Sequence, residues 1–213
     1  MITVFDLDGV LSRADTMASL VFERLRTRPW LVLPVAALAL TAALAPAAGS
    51  LRPRCNRAIV HVALAGVSEV EYGRLARRTA RALAGRPGNV RPEVLSALRR
   101  ASADGTGVVT TATEQMLATA YLDALGVAGM PVLASRFRFA AGGARFADHN
   151  VGARKVETLD AARPGAILDT LYTDSASDLP LARRCTRTVL VDARPRSERE
   201  FQRHGVEFRR LGT

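Results

Sequence analysis

Two pairs of closely spaced carboxylates are the residues of this 213-residue chain best suited to chemistry. Asp6 and Asp8 follow the apolar, β-rich run 2–5, and a glycine comes directly after them. On an extended strand the i, i+2 spacing points both side chains the same way. Asp174 and Asp178 follow a second β-rich run, and their i, i+4 spacing places both carboxylates on one side of a helix start. Hard oxygen ligands from two strand ends suit Mg²⁺.

A hydroxyl pair and a single ammonium could complement these acids. Thr110 and Thr111 end a third β-rich run and could offer a hydroxyl and a backbone N–H to a phosphate. Lys155 opens a predicted helix and is the only lysine in a chain with 30 basic residues. Because every other basic residue is an arginine, the retained lysine indicates a position where an ammonium group is needed and a guanidinium cannot replace it. Its charge would balance the acids and a phosphoryl group.

The elements that must position these residues alternate between strands and helices. This alternation predicts a parallel sheet with helices on both faces. Thr113 is expected to cap the helix that runs to Leu125. Residues 15–103 break the alternation and indicate helices without strands, so we expect an α/β core of 1–14 plus 104–213 with a helical insert of 15–103. The predicted strands are 2–5, 107–111, 131–135, 166–172 and 188–192, with a hairpin over 136–146.

Within the helical insert, residues 29–49 are uncharged and long enough for a bilayer, which needs about 20 residues. A single span would separate the first strand from the rest of its sheet. Arginines also flank the run on both sides, so no positive-inside asymmetry exists. Two interpretations stay open: a buried helix or helical hairpin, or a monotopic element on an anionic membrane surface. The flanking residues are Arg24, Arg26, Arg28, Arg52, Arg54 and Arg57.

Composition excludes several protein classes. The 48% apolar content excludes a disordered tail protein, and two cysteines exclude a disulfide scaffold and suit a reducing compartment. The first residues lack the basic region of a signal peptide, so a cytoplasmic location is expected, peripheral on the membrane in the monotopic interpretation. The net charge of +10 permits anionic partners. Nucleic acid is not expected among them, because the arginines are scattered and the few aromatics form no stacking platform.

Four motifs in order carry a family resemblance. They are Asp6-Leu-Asp8-Gly9, Thr111-Ala-Thr113, Gly152-Ala-Arg-Lys155 and Asp174-Ser-Ala-Ser-Asp178. Together they resemble the haloacid dehalogenase (HAD) superfamily, and most closely its phosphoserine-phosphatase-like subfamily IB. The resemblance implies a Rossmann-like parallel sheet with a helical C1-type cap inserted after the first strand. The apolar run within that cap is similar to that of phosphatidylglycerophosphatase C-type members.

The resemblance also implies a reaction: hydrolysis of a phosphomonoester through an aspartyl-phosphate, with Mg²⁺ as cofactor. The substrate stays open between a lipid-linked phosphate at the membrane and a soluble metabolite, and an arginine-rich nucleic-acid-binding module is a remote alternative. The implied catalytic residues are Asp6 as the nucleophile, Asp8 as the general acid and base, and Lys155. The implied phosphate-binding residues are Thr111, Ala112 and Lys155. The implied metal ligands are Asp6, the Asp8 backbone carbonyl and Asp174, and Asp178 is a further ligand or orients the other ligands.

Three features depart from the family pattern. Val10 stands where threonine is usual, and several active branches share this change. The doubled Thr110 and Thr111 leave the second motif uncertain by one position, and the small-residue pattern favours Thr111. No residue matches those that would bind the carboxylate and amine of phosphoserine, so that particular substrate is not expected.

Overall fold

The computed structural model describes residues 1–46 and 50–212. Across these residues, seven strands form one sheet in the order β4-β3-β2-β1-β5-β6-β7. The β3–β4 pair is antiparallel and the other neighbouring pairs are parallel, so the predicted α/β fold is confirmed. The strands are β1 (Ile2–Phe5), β2 (Gly107–Glu114), β3 (Val132–Ala140), β4 (Gly143–Asp148), β5 (Leu168–Thr173), β6 (Cys185–Val191) and β7 (Arg209–Leu211).

Helices cover both faces of this sheet. Val4 and Val108 belong to an apolar cluster with the helix residues Leu159, Leu181 and Phe201. Phe5 and Val109 point to the opposite face and join a cluster with the helix residues Leu75, Leu98 and Leu117. The alternation along each strand therefore produces three layers. The helices are α1 (Thr16–Thr27), α2 (Val32–Leu44), α3 (Leu51–Ala63), α4 (Glu69–Ala84), α5 (Pro92–Ala103), α6 (Gln115–Ala124), α7 (Ala153–Ala162), α8 (Leu179–Ala182) and α9 (Pro195–Arg203).

Strand β1 lies in the middle of the sheet and determines where its carboxylates go. Phe5 is paired with Val109 of β2 and with Tyr172 of β5. All three strands run parallel, so their carboxyl ends meet at one edge, where ligands bind in open α/β sheets. The backbone N–H of Asp6 donates to the Tyr172 carbonyl at 2.9 Å, which ties the first residue after β1 to β5.

The chain between β1 and β2 supplies helices α1 to α5. Helix α4 packs against α6 and α1, and α5 packs against β2. These contacts fasten part of the inserted segment to the sheet layers. The division into a core of 1–14 plus 104–213 and a cap of 15–103 stays a prediction.

The apolar run forms one helix of a packed pair. A 3₁₀ turn at Pro29–Leu31 leads into α2, which packs against α3; residues 47–49 lie outside the described part. Pro34 falls in the first turn of α2, where proline is tolerated, and so does not interrupt the helix. Of the α2 residues only Val35 and Ala42 are buried. The described part of the run is therefore a single helix rather than a hairpin, and most of that helix is not buried.

In the described ranges 1–46 and 50–212, no helix has the length and apolarity needed to cross a bilayer.

Two local predictions are wrong. The separate strand 131–135 and hairpin 136–146 are one element, because β3 continues without a break into its pairing with β4. Thr113 does not cap α6, since β2 extends to Glu114 and the Glu114 carboxylate accepts from the N–H groups of Met116 and Leu117. The Thr113 hydroxyl instead donates to Asp8.

Candidate active site

A buried ammonium lies between two carboxylates at the carboxyl edge of the sheet. The Lys155 Nζ atom is 3.0 Å from Asp6 Oδ2 and 2.8 Å from Asp178 Oδ1. All three residues are buried, with Asp178 and Lys155 at 0% and 2% exposure. The Thr173 hydroxyl donates to Asp178 at 2.9 Å. The structure thus brings together the first, third and fourth motifs, which are far apart in sequence.

Burial and pairing act against each other in this cluster. Burial raises the pKa of Asp6 above its usual value, although the ammonium of Lys155 opposes the rise. For Lys155 itself, burial would lower the pKa, but attraction to Asp178 and Asp6 outweighs it and raises that pKa. The lysine is therefore held in its charged form.

The loop before α7 positions Lys155, and Asn150 anchors that loop. Gly152 adopts φ +61° immediately before the helix. The fully buried Asn150 amide donates to the Leu133 carbonyl at 2.8 Å and to the Thr110 hydroxyl at 3.1 Å. Sequence reasoning missed Asn150, and its place just before the glycine of the third motif was the available signal.

Two threonines orient the Asp8 carboxylate. The Thr16 N–H, at the start of α1, donates to Asp8 Oδ1 at 2.8 Å, and the Thr113 hydroxyl donates to Oδ2 at 2.6 Å. The two threonine hydroxyls are themselves 2.7 Å apart. Burial raises the pKa of Asp8 to about 7 and Asp15 adds to the rise, while the hydrogen bonds from Thr113 and Thr16 oppose it. A carboxyl with that pKa is suited to exchange protons near neutral pH.

The second motif lies beside this pair at the end of β2. The Thr110 hydroxyl is engaged with Asn150, whereas the Thr111 hydroxyl accepts from the Thr113 N–H at 3.1 Å. Both threonines are fully buried, and the Ala112 carbonyl accepts from the Ser135 hydroxyl at 2.7 Å. Neighbouring strand residues face opposite sides of the sheet, and the Thr110 side chain points toward the Asn150 amide. Thr111 as the phosphate-binding residue stays a prediction.

Asp174 lies directly against the turn that follows Asp8. An ideal Cβ atom added to Gly9 would be 2.2 Å from Asp174 Oδ2, and Gly9 has φ +75°. Both observations require glycine at this position. Burial raises the pKa of Asp174, and Asp178 adds to the rise. Asp6 and Asp178 contact the Lys155 ammonium, and Asp174 lies against the adjoining turn, so the carboxylates outnumber the cation, and this charge excess suits a divalent cation.

Within residues 1–46 and 50–212, no group of three His, Cys, Asp or Glu side chains is arranged to hold a metal ion by itself. The predicted set of Asp6, Asp174 and the Asp8 backbone carbonyl contains only two such side chains, so this finding does not test it. Asp178 as a further ligand would require the three carboxylates to move closer together.

Gly9→Ala is expected to destabilise the fold and to displace Asp174. Strain at φ +75° costs about 1–2 kcal/mol, and the collision with the carboxylate adds to it. Gly105→Ala is the matched control, since Gly105 has φ +64° with nothing within 4 Å of its ideal Cβ. Urea unfolding measures the free energy of unfolding of both variants. Equal losses of stability would show that the Asp174 side chain can move aside at no energetic cost.

The chain belongs to the haloacid dehalogenase-like hydrolase family, whose model matches residues 3–183. It is therefore a hydrolase with the fold that the four motifs predicted. The resemblance to phosphatidylglycerophosphatase C-type members is a finer statement and remains a proposal.

Solved structures share the fold at low sequence identity. A protein of unknown function from Bordetella pertussis Tohama I is 19% identical with a TM-score of 0.66, over 97% of this chain and 96% of that one. A phosphoserine phosphatase, solved as a phospho-aspartyl intermediate analogue, is 12% identical with a TM-score of 0.59, over 93% and 90%. Cytosolic 5′-nucleotidase IIIB bound to cytidine is 12% identical with a TM-score of 0.64, over 100% and 79%. No curated protein matches the sequence.

Proposed function

We propose that this hydrolase is a phosphatase that cleaves a phosphomonoester through an aspartyl-phosphate formed on Asp6. The observation that carries the proposal is the contact of Asp6 with Lys155 at 3.0 Å, with Asp8 two residues further on. An anionic nucleophile approaching an anionic phosphate needs a fixed cation beside it, and the phosphatase neighbours have the same fold.

Each residue has a distinct part in the proposed reaction. Asp6 attacks phosphorus, and the bond from phosphorus to the leaving alkoxide breaks as the new bond forms. Asp8 gives its proton to that alkoxide, then takes a proton from the water that releases phosphate and frees Asp6. Thr111, the Ala112 N–H and Lys155 bind the phosphoryl oxygens while charge shifts onto them.

Mg²⁺ is proposed as the cofactor, held by Asp6, the Asp8 carbonyl and Asp174, with Asp178 as a ligand or as an orienting residue. Two carboxylates on the ammonium, with a third at the neighbouring turn, support a divalent cation at this place. When bound, the ion would neutralise charge on the carboxylates and the phosphoryl group. Substrate oxygens would complete a coordination sphere that the side chains leave open.

The proposal is tested by hydrolysis of a phosphate panel with and without Mg²⁺. The panel contains p-nitrophenyl phosphate, small phosphorylated metabolites, a lysophospholipid phosphate and phosphatidylglycerol phosphate. Phosphate release that requires Mg²⁺ and disappears in Asp6→Asn is the expected result. Release that persists undiminished in Asp6→Asn would refute the role of Asp6.

We further propose a lipid-linked substrate reached from an anionic membrane surface. Helix α2 presents Leu33, Leu40 and Leu44 at 80%, 62% and 77% exposure, and Trp30 precedes it at 62%. Exposed apolar surface of this kind marks an interaction site. Exposed arginines precede and follow this helix in the sequence, and such residues attract anionic headgroups. The alternative is a soluble metabolite as substrate, with the apolar face serving another purpose.

The double variant Leu33→Glu/Leu40→Glu is expected to lose binding to vesicles that contain phosphatidylglycerol. Two charges in the apolar face oppose its entry into the lipid boundary, and an at least tenfold loss in co-sedimentation is expected. Val70→Glu is the control, because Val70 is 64% exposed on α4. If the wild-type protein does not bind these vesicles but hydrolyses a soluble phosphate, the result would favour the soluble metabolite as substrate.

A further inference from the structure

Among the described residues 1–46 and 50–212, Arg91 is the one buried arginine, with 7% of its surface exposed. It stands immediately before α5, the last inserted helix before β2. Its Nη2 atom donates to the Gly9 carbonyl at 3.1 Å, and its Nη1 atom pairs with the Asp192 carboxylate. One guanidinium thus joins the turn after β1 to the loop after β6.

The segment around Arg91 fastens the backbone of the same turn at further points. The Arg91 N–H donates to the Leu11 carbonyl at 3.2 Å, and the Arg13 N–H donates to the Asn89 carbonyl at 2.8 Å. The Asn89 side chain accepts from the Ala14 N–H at 2.9 Å. Residues 9–14 are therefore held from outside by the returning chain rather than by their own hydrogen bonds alone.

Asp192, the other partner of Arg91, is itself firmly anchored. Its N–H donates to the Leu211 carbonyl at 3.0 Å, and it adopts φ +43°. A Cβ on Gly212 would lie against its carboxylate, so the last strand closes around it. Arg13 also reaches the Asp192 carboxylate at 3.1 Å, but its side chain is 53% exposed. The fixed end of the bridge is thus Asp192, and Gly9 is the end that is positioned.

We propose that Arg91 is a positioning residue that holds the Gly9 turn in place and thereby sets where Asp8 and Asp174 lie relative to each other. Gly9 has contacts on two sides, with the Arg91 guanidinium on its carbonyl and the Asp174 carboxylate at the position that a Cβ atom would occupy. The two residues that flank the turn have the proposed roles of proton donor and metal ligand, so this inference rests on the proposed function. A lysine cannot replace the fork of donors that reaches Gly9 and Asp192 together.

The test compares Arg91→Lys with Arg13→Lys by hydrogen–deuterium exchange and by calorimetric titration of Mg²⁺ into the substrate-free protein. Arg13 contacts the same carboxylate without touching Gly9, which makes it the matched control. In Arg91→Lys we expect exchange of peptide 7–14 to rise at least about tenfold, with peptide 168–173 unchanged. Mg²⁺ affinity should fall about tenfold, the usual effect of losing a residue behind a metal ligand. Arg13→Lys should change neither.

Wild-type exchange of peptide 7–14 in Arg91→Lys would overturn the proposal. If Arg91→Lys also loses exchange protection in peptide 168–173, the same measurement on Asp192→Asn tests the proposal. This variant weakens the contact of the Arg91 guanidinium with residue 192 while keeping the side-chain volume. A selective rise in 7–14 then supports the proposal and no rise refutes it. Exchange needs neither substrate nor metal, so a wild-type protein without phosphatase activity would defeat the proposed function and leave this result standing.

Discussion

Lys155→Met is expected to lower the free energy of unfolding by about 3–5 kcal/mol, the range for removing one partner of a buried ion pair, and to abolish hydrolysis. Without the ammonium, Asp6 and Asp178 lose the cation that offsets their burial. Phosphoryl oxygens would also lose a proposed binding residue. Urea unfolding and phosphate release measure the two effects separately.

Two further variants separate the ion pair from general disruption. Adding Asp178→Asn to Lys155→Met removes one uncompensated carboxylate, so the double variant should be more stable than Lys155→Met while remaining inactive. Arg184→Met breaks an exposed pair with Asp160 and should cost less than about 1 kcal/mol. If Lys155→Met lowers the free energy of unfolding no more than Arg184→Met does, the buried contacts of Lys155 with Asp6 and Asp178 are not the ion pairs described above.

Asp6→Asn is expected to reduce hydrolysis by at least about 1,000-fold, the scale on which loss of a nucleophile is felt. The amide cannot form the acyl phosphate, whereas its size matches the carboxylate. In the variant the Lys155 ammonium keeps its contact with the Asp178 carboxylate at 2.8 Å, so its charge remains paired. The fold should therefore survive, with the free energy of unfolding changed by about 1 kcal/mol or less.

Asp104→Asn is the control for Asp6→Asn, since Asp104 is exposed after α5, away from the four motifs. It should hydrolyse every panel substrate at the wild-type rate. An Asp6→Asn protein that is folded and equally active would require another nucleophile. A protein that is inactive because it is unfolded would instead show a lost unfolding transition.

Much of the α/β core could be predicted because its signals are local. A short β-rich run that ends in Asp6 identifies a strand with polar residues at its carboxyl end, and parallel strands bring such ends to one edge. The family match over residues 3–183 then confirmed the superfamily. The roles of the individual site residues stay predictions.

The errors have a shared physical cause, which is competition for a partner from elsewhere in the chain. Thr113 has the residue type of a helix cap, but its hydroxyl donates to Asp8, 105 residues away. Asn150 and Arg91 likewise act on segments that lie 40 and 82 residues away. Helical and strand periodicities describe near neighbours and carry no information on such pairs.

Local patterns of strand ends and helix starts were enough to predict which groups reach the carboxyl edge of the sheet, namely the motif acids and the only lysine. The surroundings of these groups depend on contacts between distant segments and became visible only in the folded chain. The tertiary structure placed Arg91 behind Gly9 and two threonines around Asp8. It also left the apolar face of α2 exposed, since apolar residues have the same local pattern whether or not another element covers them.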